Sequence, residues 1–257
     1  MKKLILMLIL AGSLSCCGGG QDNAGISDSS LAHLRVLGGE AANNQNLSVV
    51  KLRIYNPDGT VGLCSAAAVS YNTFLTAAHC VKKSHVIEVE ASGKRYPIAE
   101  VYTATGFRYD YINNAIFNDL AVLKTTENLT VKPLAIAAGN AVTTDLAGVV
   151  YGYGVNSSGS YGELKSGIVQ LAYVTANHLF SKPFYGRGSN ACAGDSGGPL
   201  VAAFQYPDGR QLSGIVGLVS SGTTRDCRSG DVTLYTNLQN PALVSFILEH
   251  APDTVIY

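Results

Sequence analysis

The chain has no tryptophan, two methionines and few charged side chains, 14% of 257 residues, with 18 basic groups against 18 acidic ones. Zero net charge removes the basic field that nucleic-acid or acidic-membrane binding would draw on. No run of like charges and no internal repeat occurs. The apolar run at the start, Leu4 to Ala11, is too short to span a bilayer. Neither a Cys-x-x-Cys nor a His-x-x-x-His spacing accompanies the cysteines, and no Asp spacing suits a Ca²⁺ loop, so no metal and no cofactor is expected.

Glycine (28) and tyrosine (14) are plentiful. From Val36 onward, short runs rich in Val, Ile and Tyr are broken by turn signals such as Asn56-Pro57-Asp58-Gly59, Ser92-Gly93 and Pro207-Asp208-Gly209. Such runs predict strands over 48–55, 61–70, 86–91, 120–124, 148–153, 167–174, 199–206 and 212–219, the pattern of an all-β barrel or sandwich. Helical spacing occurs only over 241–250, where Leu243, Phe246 and Ile247 share a face. A break near 140–146 suggests two β-halves, 36–138 and 139–240, followed by a C-terminal helix. The length supports a full core without a metal.

Met1-Lys2-Lys3 followed by Leu4–Ala11 reads as an export signal over residues 1–17. Its end, Leu14-Ser15-Cys16-Cys17, resembles a bacterial lipoprotein signal, with Cys16 or Cys17 as the lipidation candidate. That resemblance implies a bacterial, cell-envelope or secreted protein, lipid-anchored at first. Residues 18–35 are polar and aperiodic, a linker or propeptide. Four cysteines remain, Cys64, Cys80, Cys192 and Cys227, and an even number in an exported chain implies disulfides with three pairings open.

Three separated segments carry chemistry. Leu75-Thr76-Ala77-Ala78-His79-Cys80 holds a histidine behind small residues, Asp119 opens the apolar stretch Leu120–Leu123, and Gly194-Asp195-Ser196-Gly197-Gly198-Pro199 surrounds a serine with glycines. Amide cleavage needs a nucleophile, a base and donors for the developing oxyanion, and these segments offer all three. Gly194-Asp195-Ser196-Gly197-Gly198 also fits the nucleophile elbow of α/β-hydrolases. That fold needs Asp and then His after the serine, and alternating helices; only His250 follows, and the helices are absent.

Taken together, in the order His, Asp, Ser, the segments resemble the chymotrypsin/trypsin-like serine endopeptidases. The resemblance implies two six-stranded antiparallel β-barrels with the site between them. It implies a triad of His79, Asp119 and Ser196, an oxyanion hole from the N–H groups of Gly194 and Ser196, and disulfides Cys64–Cys80 and Cys192–Cys227. Residues 36–257 would form the catalytic domain, a monomer acting on protein or peptide substrates through an acyl-enzyme. Arg35-Val36-Leu37-Gly38-Gly39 resembles the family's activation site: cutting after Arg35 would free the Val36 ammonium to pair with Asp195.

By the same resemblance, Asn190 would lie at the base of the specificity pocket, with Val219 and Thr233 on its walls. A neutral base and β-branched walls look elastase-like and imply small aliphatic residues before the scissile bond. Such an enzyme would not cut after its own Arg35, so a separate trypsin-like protease would activate it. Two departures stand out: Gly217 occupies the place expected of a serine that supports Asp119, and Tyr153 stands for a tryptophan in Gly152-Tyr153-Gly154. A binding protein that had kept this fold but lost catalysis is the competing class, and such proteins usually lack a triad member.

Overall fold

A computed structural model describes residues 40–41, 48–82, 86–112, 115–155, 159, 161–186, 188–224 and 226–257. The export signal, Cys16, Cys17, the linker, Arg35 and Val36 lie outside the described residues. Among the described residues, fifteen strands and two helices follow in order: β1 (Glu40–Ala41), β2 (Val49–Tyr55), β3 (Val61–Ala68), β4 (Thr73–Thr76), α1 (Ala78–Val81), β5 (Val86–Ala91), β6 (Lys94–Thr103), β7 (Arg108–Asp110), β8 (Ala115–Phe117), β9 (Ala121–Thr125), β10 (Ala147–Gly152), β11 (Lys165–Val174), β12 (His178–Ser181), β13 (Pro199–Gln205), β14 (Gln211–Gly222), β15 (Thr233–Asn237) and α2 (Pro241–His250).

Strands β2, β3, β4, β9, β6 and β5 close into a six-stranded antiparallel barrel. Alternation along β2 turns Val50, Leu52 and Ile54 inward, where they pack with Phe74, Val89, Ala121 and Leu123. The second sheet runs β1-β11-β10-β13-β14-β15-β12, and pairing of β11 with β12 closes six of these strands into a second barrel. Its interior holds Val150, Val169, Leu171, Leu179, Leu200 and Tyr235.

A third cluster joins the halves. Leu75, Leu120 and Val122 from the first barrel meet Ile215 and Leu218 from the second, with Leu243 and Ile247 of α2 packed against them. Asn240 caps α2, accepting from the Ala242 N–H at 3.0 Å, and Pro241 stands at the first helical position, where its missing N–H costs nothing. Burying each Leu or Ile of this seam contributes about 1.5–3 kcal/mol, so the two halves form one packed body. Asp119 precedes Leu120 and Ser220 follows Leu218 by two residues. The seam therefore fixes both.

Candidate active site

His79 sits on α1, directly after β4, and its side chain is about one-fifth exposed. Asp119 is buried. Asn118, just before it, adopts φ 49°, a left-handed conformation that Asn tolerates, and its side-chain N–H donates to Thr105 O at 2.8 Å. This turn places the Asp119 carboxylate against α1. Its Oδ1 accepts from the His79 main-chain N–H at 2.9 Å, and its Oδ2 lies 2.8 Å from His79 Nδ1. A third donor, the Ser220 hydroxyl, reaches Oδ2 at 2.6 Å. The expected loss of a donor at Gly217 is thus corrected: a bulge in β14 between Val219 and Ser221 shifts the register, and Ser220 fills the role. At Gly217 itself, a Cβ would stand 3.0 Å from Thr236 O.

The serine segment is shaped by what glycine leaves out. Gly194 and Gly197 have φ of 94° and 79°, where residues with a Cβ are strained. A Cβ on Gly197 would overlap Thr76 Oγ1 and Ser65 O, and one on Gly198 would overlap Tyr151 O. The small residues Ala77 and Ala78, both fully buried, let this turn approach the His79 segment. Ser65 binds the two: its N–H donates to Ser196 O at 2.8 Å and its hydroxyl to Gly194 O at 2.9 Å. Cys80 Sγ lies 3.8 Å from His79 Nε2 and 3.9 Å from Ser196 O. The main-chain N–H groups of Gly194 and Ser196 have no acceptor among the described residues. Two donors of the serine turn thus have no protein acceptor among the described residues.

Asp195 is buried. Its carboxylate accepts from the N–H groups of Gly154 (2.8 Å) and Cys192 (2.9 Å), and no cation faces it among the described residues. Burial pushes its pKa up to about 6 against the pull of those two donors. Gly152 and Gly154 flank this carboxylate so closely that a Cβ on either would overlap it, which explains the glycine–tyrosine–glycine spelling. Tyr153 takes the tryptophan's place, its hydroxyl donating to Val49 O at 3.2 Å.

Both disulfides, Cys64–Cys80 and Cys192–Cys227, are formed. The sulfurs of Cys64 and Cys80 come close to a His79 nitrogen, but bonded to each other they are not thiolate ligands for a metal.

Beside Ser196 opens a cavity of about 250 Å³ lined by Val219, Ser220, Gly222, Thr224 and Asp231 among others. Asn190 and Thr233 are buried beneath this lining rather than in it. The Thr233 hydroxyl donates to Asn190 Oδ1 at 2.7 Å, and Asn190 Nδ2 donates to Asp231 Oδ2 at 2.8 Å. Gly222, and not Val219, pairs with Thr233 across the strands. Sequence reasoning missed Ser220, hidden by the bulge, and Asp231, which precedes β15 in a turn whose register Cys227 left uncertain.

Similarity to known proteins gives the family. Residues 36–245 match the family described as Trypsin. The chain is 29% identical over 233 residues to trypsin alpha of Drosophila erecta, covering 77% of this chain and 84% of that protein. It is 28% identical over 228 residues to trypsin delta of Drosophila melanogaster, covering 77% and 85%. A solved structure of HL collagenase superposes with a TM-score of 0.67 at 17% identity, over 84% of this chain and 99% of that one, and shares the fold. The two trypsins are insect proteins and lend no support to the bacterial origin expected from the leader. With 210 residues matched and the two barrels formed, the chain belongs to the trypsin family of serine endopeptidases.

Proposed function

We propose that His79, Asp119 and Ser196 form the catalytic triad of an exported endopeptidase made as an inactive precursor. The observation that carries this is the 2.8 Å contact of His79 Nδ1 with a buried Asp119, beside a serine turn with two unengaged N–H groups. Asp119 holds the imidazole with Nδ1 protonated, which leaves Nε2 as a base. Ser196 Oγ attacks the scissile carbonyl as its proton passes to Nε2, and the N–H groups of Gly194 and Ser196 receive the oxyanion. Collapse expels the amine, protonated by His79, and water then releases the acyl group by the same steps. Ser220 supports Asp119 as a positioning residue.

Arg35 is the activation cut and Asp195 the acceptor of the Val36 ammonium, an arrangement supported by the burial of Asp195, which faces no cation among the described residues. The leader over 1–17 exports the chain, with Cys16 or Cys17 as a lipid attachment that the cut would release. The expected preference for small aliphatic residues fits poorly with a cavity whose lining includes the Asp231 carboxylate. Protein beginning at Val36 should hydrolyse peptides and be labelled at Ser196 by a small organophosphonate, while uncut protein should do neither at comparable rates. Equal activity of both forms would overturn the precursor reading, and no reaction of either would overturn the triad.

The pH dependence of stability follows in sign. In uncut protein the raised Asp195 pKa means that the folded state holds its proton more tightly than the unfolded chain. That stabilisation is present below about pH 4 and is lost as pH rises through about 6. Pairing with the Val36 ammonium removes the penalty. The cut form should therefore be more stable than an Arg35→Gln precursor by ~3 kcal/mol at pH 7.5, a gap that closes toward pH 4. Thermal unfolding of both forms across this range measures it; a gap independent of pH would count against the pairing.

A further inference from the structure

Ser65, on β3 of the first barrel, is fully buried, and the catalytic steps give its hydroxyl no task. A buried hydroxyl is costly unless hydrogen-bonded, and this one is bonded twice. It donates to Gly194 O at 2.9 Å and accepts from the Tyr153 N–H at 2.9 Å. Tyr153 directly follows β10 and Gly194 precedes β13, both strands of the second barrel. Among the described residues, no other donor reaches Gly194 O and no other acceptor takes the Tyr153 N–H. The peptide that carries Gly194 O ends in the Asp195 N–H, which donates to Cys192 O at 3.0 Å. That peptide is therefore held at both ends, by Ser65 from the first barrel and by Cys192 from within the turn. Gly194 needs such a hold, because at φ 94° and without a Cβ it restrains its own rotation least. Tyr153 leads into Gly154, whose N–H holds Asp195 Oδ1 at 2.8 Å. One hydroxyl grips both the serine turn and the strand end that clasps Asp195.

We infer that Ser65 is a positioning residue for the oxyanion step: its hydroxyl fixes the Gly194–Asp195 peptide, and with it the direction of the Gly194 N–H. The inference rests on the proposed roles of Ser196 as nucleophile and of the Gly194 and Ser196 N–H groups as donors. The main chain of Ser65 serves the same junction. Its N–H donates to Ser196 O at 2.8 Å, and its carbonyl accepts from Thr76 Oγ1 at 2.8 Å, three residues before His79. Those bonds do not need the side chain, so removing the hydroxyl acts on the Gly194 peptide and the Tyr153 amide. An alanine at 65 leaves Gly194 O and the Tyr153 N–H without partners and lets the glycine turn. A donor stabilises developing charge to the extent that it is aimed before the charge appears, and averaging its direction weakens it. The substrate carbonyl carries less charge than the oxyanion, so the loss falls on the transition state.

The test compares the chain cut after Arg35 with its Ser65→Ala variant, using the peptide that the parent cleaves best. Two inhibitors are matched to that peptide, an aldehyde and the corresponding alcohol. Ser196 Oγ adds to the aldehyde carbon as its proton passes to His79 Nε2, and the carbonyl oxygen becomes the oxyanion; the alcohol binds without forming one. We expect kcat to fall about 10–100-fold with KM within about threefold, no more than the roughly 10²–10³ that outright loss of a donor costs. The aldehyde should weaken by the same factor as kcat/KM, and the alcohol by less than about twofold. The acid limb of the kcat/KM profile, set by His79, should not move. Hydrogen exchange at the Tyr153 amide of the parent should be slow, which checks the bond without a substitution. Unchanged kcat and aldehyde affinity, equal weakening of aldehyde and alcohol, a shifted acid limb, or a freely exchanging Tyr153 amide overturns the inference while the triad stands. A parent that neither cleaves peptides nor takes an organophosphonate at Ser196 removes the endopeptidase reading and this one with it.

Discussion

Ser196→Ala is expected to lower kcat for peptide hydrolysis by about 10⁶-fold, with the thermal midpoint nearly unchanged. The hydroxyl is removed from a turn that the main chain holds. Ser196 O stays bonded to the Ser65 N–H, and Gly197 N–H to Val219 O at 2.7 Å. Glycine geometry, not the serine side chain, shapes the segment. The unengaged N–H groups of residues 194 and 196 also survive, so a residual acceleration of roughly 10³–10⁴ over water should remain. His79→Ala should cost about as much, and the double variant little more, because base and nucleophile act as one unit. Measuring the single and double variants against the same peptide decides it. Activity of Ser196→Ala above a hundredth of the parent would exclude Ser196 as the nucleophile.

Asp119→Asn should cost about 10⁴-fold in kcat, with KM little altered. The carboxylate accepts from His79 N, His79 Nδ1 and the Ser220 hydroxyl, and a carboxylate has acceptor capacity for all three. An amide in its place offers one oxygen. If its NH₂ faces His79 Nδ1, that nitrogen must be the acceptor and Nε2 carries the proton, so no base faces Ser196. Asp119 lies outside the cavity lining, which is why substrate binding should persist. A variant whose kcat falls less than tenfold, with folding intact, would show that Asp119 does not set the tautomer.

The strands that sequence reasoning found are those with strong alternation or apolar content, and α2 appears over the expected 241–250. β6 was missed because Lys94, Arg95, Pro97 and Glu100 give it no apolar rhythm; it is extended because β5 and β9 both pair with it. β12, only His178–Ser181, was too short to stand out, and α1 is a single turn between β4 and a disulfide. At the site, glycine-rich spelling carried the serine turn, since each missing Cβ answers to a close neighbour. The pocket was harder. Its chemistry depends on a β-bulge and on a turn after Cys227, and neither leaves a periodic trace. A residue three positions along β14 changed its meaning when the bulge was placed.

Each disulfide is tied to a reacting part. Cys64–Cys80 fastens β3 to the helix that bears His79, and Cys192–Cys227 fastens the approach to Ser196 to the segment that bears Asp231. The barrels themselves are held by strand pairing and packed seams. Reduction would therefore act first on the loops, freeing the segments that must stay registered for cleavage while leaving a folded shell. The molecule thus carries a compartment address in its covalent chemistry. In the thiol-rich interior of a cell it is a protein with a slack cleft, and the same chain becomes a competent protease only where its sulfurs stay oxidised.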